Sequence, residues 1–101
     1  MKSGYKIEWS ENSLLELKRT FEYIESNWTD KEISKLSQKI ESTVNLISQN
    51  PEIFPKSEKL SVRKAVVTKQ NTIYYRKLEN LKTIQILSFF NNRMNPNKRN
   101  F

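Results

Sequence analysis

The chain has 101 residues, no cysteine, no histidine, one glycine and a formal charge of +7. This composition excludes disulfides, thiolate zinc sites, Ser–His–Asp and Cys–His nucleophilic arrangements, and a glycine-rich phosphate loop. The length suits one domain over 1–101. With 36% hydrophobic and 29% charged residues, folding rests on the periodic placement of a limited apolar set.

Tyr5-Lys6-Ile7-Glu8-Trp9 alternates apolar and charged residues and predicts a short strand. Ser10 then stands as an N-cap, with Glu11 at the positive end of the helix dipole. Leu14, Leu17, Phe21, Ile24 and Trp28 recur at helical spacing and predict a first helix ending near Asn27. Thr29-Asp30-Lys31-Glu32 has the spacing of a capping box. Ile33, Leu36, Ile40, Val44 and Ile47 form the stripe of a second helix, which Asn50-Pro51 stops. Two amphipathic helices with so short a connection predict an antiparallel hairpin whose stripes are buried on a sheet.

Pro51–Leu60 reads as a loop in which Ile53 and Phe54 anchor beneath the sheet edge. Three β-type runs follow, Val62–Thr68, Thr72–Leu78 and Thr83–Phe90, joined by short polar connections that predict an antiparallel meander. Alternation puts Ile73 and Tyr75 on one face and Tyr74, Arg76 and Leu78 on the other. It does not say which face receives the helices. Residues 91–101 are polar, aperiodic and predicted to be a mobile tail. The expected fold is α+β: an N-terminal strand and an antiparallel two-helix hairpin packed on a small, mainly antiparallel sheet.

The charge is unevenly distributed. Residues 1–55 hold seven Lys/Arg against nine Asp/Glu, a balance of −2. Residues 56–101 hold eleven against two, a balance of +9. A basic sheet and tail point to an anionic partner, either nucleic acid or an acidic polypeptide. The cations there include Lys56, Lys59, Arg63, Lys64, Arg76, Lys77, Arg93, Lys98 and Arg99, interleaved with Tyr74, Tyr75, Phe89 and Phe90. Such a set suits phosphate contacts and stacking on bases. It also suits stabilisation of a phosphorane, with Lys or Tyr moving protons. Tyr75 reads as core because it alternates with Ile73. Arg76 reads equally as one half of a surface pair or as a ligand contact. Arg93, just past the last strand, is the stronger functional candidate. The carboxylates fall at the spacing of solvated helix faces, which argues against a two-carboxylate hydrolase. No metal or cofactor is expected. With neither a long apolar run nor a signal-peptide pattern, a cytoplasmic protein with no membrane association is expected.

In combination these features resemble the RelE/ParE superfamily of small bacterial toxins. Tyr5-Lys6-Ile7-Glu8-Trp9-Ser10 resembles its first strand and helix cap, and Asn50-Pro51 with Phe54-Pro55 its loop after the second helix. Val62-Arg63-Lys64 and Ile73-Tyr74-Tyr75-Arg76 resemble its central strands. Ile86-Leu87-Ser88-Phe89-Phe90-Asn91-Asn92-Arg93-Met94-Asn95-Pro96 resembles its closing strand, often of the form I-L-x-V-x-H-x-R-x-x-P. The resemblance covers nearly the whole chain. It implies the toxin half of a type II toxin–antitoxin pair, wrapped and neutralised by a cognate antitoxin.

Such toxins either poison DNA gyrase, as ParE-like members do, or cut messenger RNA on the translating ribosome, as RelE-like members do. Here Asn91 stands where many relatives carry His, and Val67-Thr68 stand where RelE-like nucleases tend to place an Arg. Arg93 matches the closing motif. The resemblance therefore favours a ParE-like protein. An mRNA endoribonuclease is the alternative, and a degenerate toxin that only binds its antitoxin is the second. For a nuclease, the implied catalytic groups are Arg93, Lys56, Lys59 and Arg63. For a binding toxin, the implied contacts are Arg63, Lys64, Arg76, Asn91, Arg93, Lys98 and Arg99.

Overall fold

A computed structural model describes residues 4–57 and 61–93. Strand β1 (Lys6–Trp9) runs into Ser10, whose hydroxyl accepts the Ser13 amide at 3.1 Å and so starts helix α1 (Glu11–Glu25). Thr29 and Glu32 exchange hydrogen bonds in a complete capping box that starts helix α2 (Asp30–Gln49). Asn50, extended at φ −139° before Pro51, ends it. The meander follows as β2 (Arg63–Val66), β3 (Asn71–Leu78), a 3-10 turn at Glu79–Leu81 and β4 (Thr83–Asn91). Strand β2 stops short of its predicted end because the Thr68 hydroxyl takes the amides of Gln70 and Asn71, both at 3.2 Å, and turns the chain.

The sheet order is β1-β4-β3-β2, with β1 parallel to β4 and the other pairs antiparallel. The last strand in sequence is thus a central strand. The register of β3 on β4 shifts between Tyr74 and Tyr75, which leaves Leu87 as the extra residue of a bulge.

The helix hairpin packs on the face carrying Ala65, Ile73, Tyr75, Ile84, Ile86 and Phe89, and Ile24, Leu36, Ile40 and Ile47 complete that core. Leu17, Phe21, Ile24 and Trp28 of the expected α1 stripe pack in or against this core, but Leu14 does not. Leu14 is 50% exposed, while Ser13 and Thr20 are fully buried with Ile24. The stripe that meets β4 is Ser13, Leu17, Thr20 and Ile24. Small residues let the helix approach the strand closely, and their hydroxyls are satisfied locally. Ser13 donates to the Ser10 carbonyl at 2.8 Å, and Thr20 to that of Glu16 at 2.9 Å. Trp28 lies beyond the helix, half-buried in the connection.

Strand β1 pairs only with Thr83–Ile86, so the rest of that edge of β4 has no strand neighbour. Side chains of α1 take its place. Ser10 and Asn12 donate to the Leu87 carbonyl, each at 3.2 Å. The Glu16 carboxylate accepts from the Phe89 amide at 3.1 Å and the Ser88 hydroxyl at 2.7 Å. Hydrogen bonds to a charged acceptor contribute more than neutral ones, so Glu16→Ala is expected to cost about 2 kcal/mol in urea unfolding. Solvent-facing Glu22→Ala is the control; equal losses for the two would refute the edge-capping role.

Candidate functional site

The sheet face turned away from the helices carries a small second cluster of Val62, Tyr74 and Phe90, with Leu87 packed against it. Tyr74 and Phe90 meet edge to face at 6.5 Å. Polar residues frame this cluster by register. Lys64 lies opposite Tyr74, Arg76 is two residues further along β3, and Gln85 lies opposite Arg76. Arg76 Nε donates to Gln85 Oε1 at 2.9 Å, which fixes the guanidinium over the sheet. Lys64 and Arg76 are both exposed. Two predicted site residues thus share one face, beside an aromatic pair.

Arg63 points elsewhere. It lies opposite Tyr75, on the helix side, and donates to the carbonyls of Phe54 at 2.7 Å and Glu52 at 3.4 Å. The Tyr75 hydroxyl donates to the Pro51 carbonyl at 2.7 Å, and Lys77 reaches the Glu52 carboxylate at 2.6 Å and that of Glu79 at 3.1 Å. Together these groups pin residues 51–55 to the sheet. Phe54 joins them, edge-on to Tyr75 at 6.4 Å. Ile53 does not: it is 54% exposed, because the turn that donates its amide to the Asn50 carbonyl swings it outward. The Lys77 bond holds the Glu52 carboxyl below its usual range, and the two carboxylates hold Lys77 well above its own. Burial pushes Tyr75 up to about 12. Lys56 is exposed at the sheet edge, bridged to Arg63.

At the other end of β3 and β4 a polar clasp replaces apolar packing. Asn71, 1% exposed, donates to the Thr68 hydroxyl at 2.9 Å and accepts from the Asn91 amide at 2.7 Å. Asn91, 5% exposed, in turn accepts the Arg93 backbone amide at 2.9 Å. Asn91 is therefore the last residue of β4, placed among buried groups, and Arg93 is exposed on the turn it anchors. Lys59, Lys98 and Arg99, and the expected tail from 94 onward, lie outside the described residues.

Periodicity did not reveal Glu16, whose partners Ser88 and Phe89 are far away in the chain, nor Gln85 and Thr68, whose polar bonds leave no periodic mark. The Asn71–Asn91 pair left a faint sequence signal, an amide at the end of each of two apolar runs. Chemically, this face offers two exposed cations around a buried aromatic pair, and the cations suit binding an anionic surface. Tyr75 is moved away from proton transfer, since its hydroxyl is sealed and its affinity for the proton raised. Among the described residues no cluster of acidic residues could hold a metal ion, and no helix is long and apolar enough to cross a membrane.

Solved structures share this architecture. The chromosomal ParDE system of P. aeruginosa aligns with a TM-score of 0.70 at 18% identity, covering 89% of this chain and 98% of that one. The RelBE2 toxin–antitoxin complex of Mycobacterium tuberculosis aligns at 0.61 and 14%, covering 90% and 94%. The YoeB dimer of Staphylococcus aureus aligns at 0.57 and 19%, covering 85% and 94%. The fold is that of the small toxins of toxin–antitoxin pairs. The sequence also matches the family profile of the ParE toxin of the type II parDE system over residues 7–96. The chain belongs to the ParE toxin family, within the RelE/ParE superfamily. No curated protein matches it.

Proposed function

We propose that this toxin acts in the cytoplasm as a ParE-like inhibitor of DNA gyrase, held silent by its cognate antitoxin. The observation that carries this reading is the makeup of the sheet face turned away from the helices. Lys64, Arg76 and Gln85 offer polar contacts around the buried Tyr74–Phe90 pair, while the position where many relatives carry His is filled by Asn91, which is buried and bonded to Asn71. An amide there neither gives nor takes a proton at neutral pH. Arg93, exposed on the turn after β4, is a contact in this reading.

The second reading, cleavage of ribosome-bound messenger RNA, draws support from the same cations, which suit phosphate binding as well. Inducing the chain alone in a bacterial host while following DNA breakage and a reporter message separates the two. DNA breakage with intact messages is expected. Cleaved messages with intact DNA would overturn the gyrase assignment, and normal growth with neither effect would favour a protein that only binds its antitoxin.

A further inference from the structure

A cleft of about 270 Å³ opens between the first half of α2 and the turn joining β2 to β3. Trp28, half-buried, and Leu36, 3% exposed, give it an apolar wall. Thr68 and Gln70 form the opposite side. The Thr68 hydroxyl accepts from the Gln70 and Asn71 amides and from the Asn71 side chain, so this wall is preformed. Lys35 and Lys39 stand on the rim, one helical turn apart and therefore on the same side.

Three groups here are unspent. Neither lysine forms an ion pair among the described residues, where both side-chain ion pairs belong to Lys77. The half-buried Gln70 carboxamide makes no hydrogen bond within the described residues. The rim carboxylate, Glu32, is committed to the Thr29 amide at 3.0 Å. The cations also lie in the half of the chain whose balance is −2, so the charge split of the sequence conceals them.

We propose that this cleft docks an acidic peptide segment carrying one apolar anchor. The anchor would sit against Trp28 and Leu36, its flanking carboxylates would meet Lys35 and Lys39, and its backbone would pair with the Gln70 carboxamide. A nucleic-acid strand fits less well. Its evenly spaced phosphates would meet Glu32 beside the lysines. The idea that the segment belongs to the antitoxin rests on the function proposed above; the docking chemistry does not.

The test is binding to the purified full chain of a labelled synthetic peptide of alternating Glu and Leu, read by fluorescence polarisation and tryptophan quenching. Binding is expected to weaken with salt, and the quenching is expected to vanish in Trp28→Phe, which leaves Trp9 as reporter. K35E/K39E is expected to weaken binding about tenfold, whereas the charge-matched K18E/R19E on α1 changes it less than about twofold. Replacing Leu by Ser in the peptide is expected to abolish binding. Unchanged affinity in K35E/K39E, or displacement of the peptide by a single-stranded oligonucleotide, would overturn the proposal. Since no toxicity enters the readout, failure of the docking site and failure of the gyrase reading are seen separately.

Discussion

Replacing Tyr75 by Ala is expected to remove about 3–5 kcal/mol of stability, the largest single loss from any side chain that binds the loop. The ring is fully buried in the main core, and its truncation leaves a cavity that Ile73, Ile84 and Phe54 cannot close without moving the sheet. Its hydroxyl also supplies the bond to the Pro51 carbonyl. Tyr75→Phe isolates that second effect and should cost about 1–2 kcal/mol, since Pro51 is itself buried and its carbonyl loses this donor. Both variants also lose the pH dependence that the phenol gives the parent. The folded chain holds the Tyr75 proton up to about 12, above the ordinary value of 10. This contribution is complete below pH 10 and is lost as pH rises through the folded value. Urea midpoints measured from pH 9 to 12 should fall less steeply for Tyr75→Phe than for the parent. Parallel curves would show that the phenol is not what yields to alkali.

Reversing the charge at Lys64 and Arg76 together is expected to abolish growth inhibition while changing stability by no more than about 0.5 kcal/mol. Both side chains are exposed on the sheet face opposite the helix hairpin, and Arg76 gives up only its solvent-side bond to Gln85. Electrostatic encounter with an anionic target depends on such groups far more than folding does. Arg93→Ala should reduce inhibition without altering the unfolding midpoint, because its backbone amide, not its guanidinium, is the group bonded to Asn91. The K18E/R19E chain serves again as the charge-matched control. If K64E/R76E halted growth as fully as the parent, the face carrying these two cations would not be the working surface.

Much of the fold was readable because its signals are local. Ser10, the Thr29–Glu32 box and Asn50-Pro51 set helix ends through groups within a few residues, and strand alternation separated Tyr75 from Tyr74 correctly. What escaped depended on the partner. Periodicity finds Leu14 as readily as Ser13, since neighbouring stripes on a helix differ by one residue's rotation. Only the close approach of α1 to β4 selects the small residue. Ile53 was misplaced because loop residues obey turn geometry rather than a period. Among the cations, sequence marks charge but not direction. Arg63 faces the carbonyls of the Pro51–Pro55 loop while Lys64, its neighbour, faces solvent, a distinction carried by strand register alone.

The place of β4 bears on how the toxin comes into being. Its pairing with β1 joins residues some seventy-seven positions apart, and it supplies Ile84, Ile86 and Phe89 to the core. Until Thr83–Asn91 has emerged from the ribosome, the nascent chain has helices with no surface to bury them and an edge strand with no partner. Assembly of the core therefore waits on the synthesis of β4. A chain cut short before β4 lacks the strand on which both the sheet and the main core are built.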